Sequence, residues 1–112
     1  IRLALEKEGV KVNHLQFRIV WPFPVEAATK ELKAAKNAVL VENNFSGLFA
    51  KLLRQETGLS LPHHIRKFDG EPFYFAPLLA QVKRVLKPGA PEVQSNVTAE
   101  LDIPIKRVAV TA

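Results

Sequence analysis

Three histidines, one serine beside a glycine, and a spread of lysines and arginines are the residues from which any chemistry would have to be built. His63 and His64 are adjacent. On a strand, neighbours point to opposite faces; on a loop, they lack the i, i+4 spacing that lets two histidines share a metal. Loop and cap roles are therefore expected, and no metal site. His14 lies in an apolar stretch, where a packed, hydrogen-bonded histidine is expected rather than a catalyst. Ser46-Gly47 lies between an apolar run and a helical pattern, the setting of a nucleophile elbow, but Asn44 stands where the elbow needs its first glycine. The sequence contains neither the glycine-rich dinucleotide fingerprint nor the phosphate loop with its Lys-Ser/Thr pair. Amides at 46–48 can hold an anion at a helix start, although capping is the simpler role. With no Cys, thiolate-held metals or clusters, disulfides and a cysteine nucleophile are excluded. No residue is expected to be catalytic or to bind a cofactor.

The charge pattern narrows the partners. Sixteen Lys and Arg against 11 Asp and Glu give +5, enough to raise nucleic acid as a partner. Yet Lys30, Lys33 and Lys36 share a helix with Glu26 and Glu31, the pattern of a solvated face. Arg66-Lys67 and Lys83-Arg84-Lys87 are denser but lack interleaved aromatics, so solubility or a subunit contact explains them as well. Neither nucleic acid nor a membrane is expected as partner. The longest apolar runs are a few residues, and a span needs about 18 to 20. At 112 residues and 47% hydrophobic the chain suits one ordinary domain, expected in the cytoplasm. The absence of Met and the start at Ile1 suggest a piece of a longer polypeptide.

The periodicity supplies elements to carry these residues. Ile1, Ala4 and Leu5 mark a helix over 1–8, with Gly9 as its cap. Partial alternation over 10–17 predicts a strand. Trp21-Pro22-Phe23-Pro24 breaks the pattern, Pro24 opening a helix over 25–36 whose buried stripe is Val25, Ala28, Leu32 and Ala35. Residues 38–42 predict a strand buried on both faces. Asn43-Asn44-Phe45-Ser46-Gly47 is a polar turn in which Ser46 or Asn44 caps a helix over 48–57, ended by Gly58. A third strand is predicted over 65–68, then the Asp69-Gly70 turn and a helix from 76 or 77 to 86. Residues 87–96 read as a linker or extended arm. Residues 101–111 read as an edge strand limited by Pro104, to be docked on this domain, on a second copy or, the favoured reading, on a partner subunit. Alternating strands and helices with short links indicate the α/β class: a three-layer α/β/α sandwich with a mostly parallel sheet. The domain is placed at 1–87, lacking a first strand before Ile1, and the linker and arm at 88–112.

The order of Gly9-Val10-Lys11-Val12, His14-Leu15, Trp21-Pro22-Phe23-Pro24, Val39-Leu40-Val41-Glu42-Asn43-Asn44, Ser46-Gly47, Leu52-Leu53-Arg54-Gln55-Glu56-Thr57-Gly58 and Lys67-Phe68-Asp69-Gly70-Glu71-Pro72-Phe73 resembles a known family. It is similar to the α subunit of thiamine-diphosphate-dependent 2-oxoacid:ferredoxin oxidoreductases, of the 2-oxoglutarate type. The resemblance implies a transketolase C-terminal-like domain that does no cofactor chemistry itself. The parent complex would use thiamine diphosphate, Mg2+ and iron-sulfur clusters, with CoA as substrate. Implied partners are the preceding pyrimidine-binding domain, the β subunit and ferredoxin. Leu48 departs from the Gln usual after the turn glycine. A small nucleic-acid-binding module and the equivalent domain of another thiamine enzyme are the rival readings.

Trp21, Pro22, Phe23 and Pro24, with Asn43, Asn44, Phe45, Ser46 and Gly47, are expected at one end of the sheet, facing a neighbouring domain or subunit. The alternative is that Trp21 and Phe23 fold back over the core.

Overall fold

The structure is a computed structural model that describes residues 1–87 and 94–96. Its elements are α1 (Arg2–Lys7), α2 (Val25–Ala34), β1 (Val39–Glu42), α3 (Leu48–Thr57), β2 (His63–Arg66), α4 (Phe75–Val85) and β3 (Gln94–Asn96). The three strands form one parallel sheet in the order β1-β2-β3.

Alternation along β1 and β2 divides the interior into two halves. Val41 pairs with Ile65, and both face a cluster formed with Leu5 of α1 and Val82 and Val85 of α4. Leu40 faces the other way, against Ala28 of α2, Leu53 of α3 and Phe23. Helices thus cover both faces, as the expected three-layer α/β/α arrangement requires, and β1 is apolar on both sides for that reason. The β1-to-β2 step runs through α3 on one face and the β2-to-β3 step through α4 on the other.

Four expectations are corrected. The strand expected over 10–17 is absent: Val12 packs on the α1–α4 side and Phe17 on the α2–α3 side, so the stretch passes from one face to the other. No backbone hydrogen bond ties residues 11–22 to other described backbone, and a strand without a ladder does not persist. His14 accordingly lies exposed on this stretch, not packed. The strand expected at 65–68 begins at His63, and both histidines are buried in it rather than placed in a loop. Pro62 marks the end of the preceding loop, and pairing with Val39 and Leu40 brings the histidines into the sheet. Finally, Gln94–Asn96, within the stretch read as an arm, pairs with His64 to Arg66. The edge strand expected beyond residue 100 lies outside the described residues.

Ile65 is fully buried on the middle strand. Truncation there removes contacts with both helices of its face, and Ile65→Ala is expected to lower stability by about 2–5 kcal/mol in urea denaturation. Leu15→Ala, on the unpaired stretch, is expected to change it by less than about 0.5 kcal/mol.

Candidate functional site

The carboxyl ends of β1 and β2 carry a buried polar cluster. Glu42, the last residue of β1, is 3% exposed. Its Oε1 accepts the side-chain amide of Asn44 and the backbone N–H of Phe49 at 2.7 Å. Asn44 Oδ1 in turn accepts the N–H groups of Gly47 at 2.7 Å and Leu48 at 3.1 Å. Of the two capping candidates, then, Asn44 does the work. Two side chains satisfy three N–H groups at the start of α3, which otherwise have no partner within the helix. Gly47 sits at φ 63, a left-handed conformation that a side chain would strain, and the turn needs it there.

In-register pairing sets His64 and Arg66 on the same face as Leu40 and Glu42. His64 is 1% exposed, with Nε2 3.7 Å from Glu42 Oε2, beyond hydrogen-bond reach. Burial first, then the charge of Arg66, pushes its pKa down to about 2, so the imidazole is neutral at physiological pH. Burial also lowers the Arg66 pKa, against the pull of Glu42. The Arg66 guanidinium donates to the Phe45 carbonyl and lies 5.7 Å from the Phe45 ring centroid. Phe45 meets Phe68 edge-on.

A second knot lies just past β2. Lys67, 1% exposed, donates to Asp69 and, at 3.1 Å, to the Glu71 carbonyl, with the Tyr74 ring 5.8 Å from its ammonium. The hydrogen bond from Lys67 holds the Asp69 carboxyl below its usual range. The bond from Tyr74 to Glu71 raises the phenol. Asn43 joins the two knots by donating to the Glu71 carbonyl at 3.3 Å.

Above these groups runs an open groove of about 330 Å³ lined by Val20, Glu42, Asn43, Asn44, Leu48, Phe49 and Leu52. Of the two segments singled out in the sequence, Asn43 and Asn44 line it, whereas Trp21 to Pro24 do not and only their neighbour Val20 does. Phe23 is buried, with its ring 5.6 Å from Phe17 and 6.0 Å from Phe49, whereas Trp21 is 72% exposed and Phe45 63%. Pro22, Pro24, Asn43 and Ser46 are exposed and Gly47 is buried. Sequence reasoning missed Glu42, His64 and Lys67 as buried polar residues. The available signal for the first two was register: once 39–42 and 63–66 pair in parallel, Glu42 and His64 share a covered face.

Ser46 is exposed, whereas His64 is buried and neutral. Among the described residues, no group of three His, Cys, Asp or Glu is placed to hold a metal ion, and no helix is long and apolar enough to cross a membrane.

Comparison with known proteins gives relatives of one kind. The chain is 34% identical over 89 residues to 2-oxoacid:ferredoxin oxidoreductase 2, subunit alpha, of Aeropyrum pernix, a match covering 80% of this chain and 14% of that protein. It is 32% identical over 85 residues to the 2-oxoacid:ferredoxin oxidoreductase subunit alpha of Saccharolobus solfataricus, covering 76% of this chain and 13% of that one. With the 2-oxoacid:ferredoxin oxidoreductase 1, subunit alpha, of Sulfurisphaera tokodaii it shares 28% over 96 residues, 86% of this chain and 15% of the relative. The chain thus spans about one-seventh of the length of the curated relatives it matches. No family model matches, and no solved structure does.

The buried neutral His64 ties stability to pH. The unfolded chain takes up a proton near pH 6.5 that the folded chain refuses down to about 2, so the stabilisation is complete above pH 6.5 and declines as the pH falls. Between pH 7.5 and 5 this group alone is expected to cost about 2 kcal/mol. By NMR, the His64 Cε1–H resonance should hold its neutral position down to pH 4; titration near 6.5 would contradict the geometry.

Proposed function

Starting from this similarity to one segment of oxidoreductase α subunits, we propose that the chain is a non-catalytic assembly domain of a 2-oxoacid:ferredoxin oxidoreductase α subunit. The observation that carries this reading is the match along four-fifths of the chain to a protein so named. The parent complex would decarboxylate a 2-oxoacid, 2-oxoglutarate first among them, join the acyl group to CoA and pass the electrons to ferredoxin. Within it the chain would be the transketolase C-terminal-like domain, working in the cytoplasm against the pyrimidine-binding domain of its own subunit and the β subunit.

Two features of the chain support a supporting rather than a chemical role. Two of its buried ionisable groups make internal bonds: Glu42 Oε1 with Asn44 and Phe49, and Lys67 with Asp69 and Glu71. Its sequence has no Cys to ligate cluster iron. Thiamine diphosphate, Mg2+, the clusters and CoA would therefore be held by other parts of the complex.

The test is reconstitution of the complex carrying this segment, with CoA-dependent ferredoxin reduction measured for a panel of 2-oxoacids. Reduction driven by 2-oxoglutarate is expected, and no reduction with any 2-oxoacid would refute the proposal. His14→Gln and His63→Gln in that complex should each leave turnover within a few fold; a loss of about 1,000-fold in a folded variant would assign the chain a catalytic group.

A further inference from the structure

Four buried polar atoms on one face of the sheet have no hydrogen-bond partner among the described residues: Glu42 Oε2, both ring nitrogens of His64, and Arg66 Nε. A buried donor or acceptor left unpaired forfeits its hydration for nothing, so each such atom in a folded protein calls for a reason. Register gathers these four. Glu42 lies opposite Arg66 in the ladder and Leu40 opposite His64, so the three polar side chains rise from the same covered face. Oε2 stands 3.7 Å from His64 Nε2, too far for a bond. Among the described residues no ion pair joins Glu42 to Arg66, whose guanidinium donates instead to the Phe45 carbonyl.

We propose that one internal water molecule binds between Glu42, His64 and Arg66 and joins the side chains of β1 to those of β2. It donates to Glu42 Oε2 and accepts from His64 Nε2–H and Arg66 Nε–H. Two donors and one acceptor suit a water, and about three such bonds to otherwise unpaired groups is the usual complement of a buried one. Direct contact between Glu42 and His64 satisfies the set less completely, because Arg66 Nε then still lacks an acceptor. Glu42 also lines the open groove of about 330 Å³, which gives water a way in. With bonds of about 2.8 Å, a water across a 3.7 Å gap has an angle of about 83° between its partners, so the pair is expected to part to about 4.5 Å around it. The site also sets the tautomer of His64. The neutral ring carries one proton, and Nε2 is the nitrogen beside the carboxylate, so the proton sits there and Nδ1 keeps a lone pair. The site lies within this chain and does not depend on the α-subunit reading.

A crystal structure and solution NMR of the 112-residue chain test the site. In the crystal, water density is expected within about 3.2 Å of both Glu42 Oε2 and His64 Nε2, with those atoms about 4.5 Å apart. In solution, long-range nitrogen–proton correlation is expected to show His64 as the Nε2–H tautomer. Oxygen-17 relaxation dispersion counts long-lived water molecules rather than exchanging protons, and its amplitude is expected to fall by one water in His64→Leu. Three results would overturn the proposal. One is closure of the gap to about 2.8 Å with the imidazole bonded directly to Glu42. The second is the Nδ1–H tautomer, which removes the donor the water is to accept. The third is an unaltered dispersion amplitude in a folded His64→Leu chain. Should that variant not fold, the crystal density and the tautomer of the native chain decide the matter.

Discussion

A carboxylate at the end of a buried strand is the constraint on which the rest of this end of the molecule depends. Glu42 is covered on the α2–α3 face, and a buried carboxylate is tolerated only where donors converge on it. The donors come from the turn that follows: the Asn44 amide and the Phe49 N–H. Satisfying Glu42 therefore fixes the path of 43–48. Asn44 completes the path by taking the N–H groups of Gly47 and Leu48, and Gly47 supplies the left-handed step. With the turn fixed, Phe45 and Leu48 have nowhere to go but outward, and the groove acquires its wall. Phe45 and Leu48 are thus carried by a turn that polar bonds close from within.

The same economy explains the neutrality of His64. A protonated imidazole beside Glu42 would face Arg66 on its own strand and lose its hydration, so the neutral form prevails and the ring serves as a packing group. Lys67 is the opposite case. Its buried Nζ donates to Asp69 and the Glu71 carbonyl, and these bonds close the 67–71 turn. Asn43 links that turn to the first, so the ends of β1 and β2 form one rigid ledge.

Much of this was legible in the sequence where periodicity and turn chemistry agreed. The doubly buried β1 and the Asn43-to-Gly47 turn with its glycine stand near where pattern placed them, but of the stripe expected on α2 only Ala28 is buried and Leu32 half-buried, Val25 and Ala35 being exposed. The failures have physical causes. Residues 10–17 alternate like a strand, but alternation specifies faces and not a ladder partner, and here Val12 and Phe17 serve opposite faces. His63 and His64 look like loop residues by composition, and only the pairing with Val39 and Leu40 reveals that they are sheltered. Gln94–Asn96 has no apolar signal in its sequence, yet it pairs with β2. Phe23 and Trp21 share one motif, yet the rings of Phe17 and Phe49 close over the first and leave the second outside.

The central claim is that Glu42 and Asn44 act as a unit to build the turn. A double-mutant cycle measures this most directly: Glu42→Ala, Asn44→Ala and the pair, each compared by urea denaturation of the chain at pH 7.5. Groups sharing one hydrogen-bonded network couple, and an interaction energy of about 0.5–3 kcal/mol is expected, the pair costing less than the sum of its singles. Strict additivity would contradict the account, because the two side chains would then hold the turn independently or not at all.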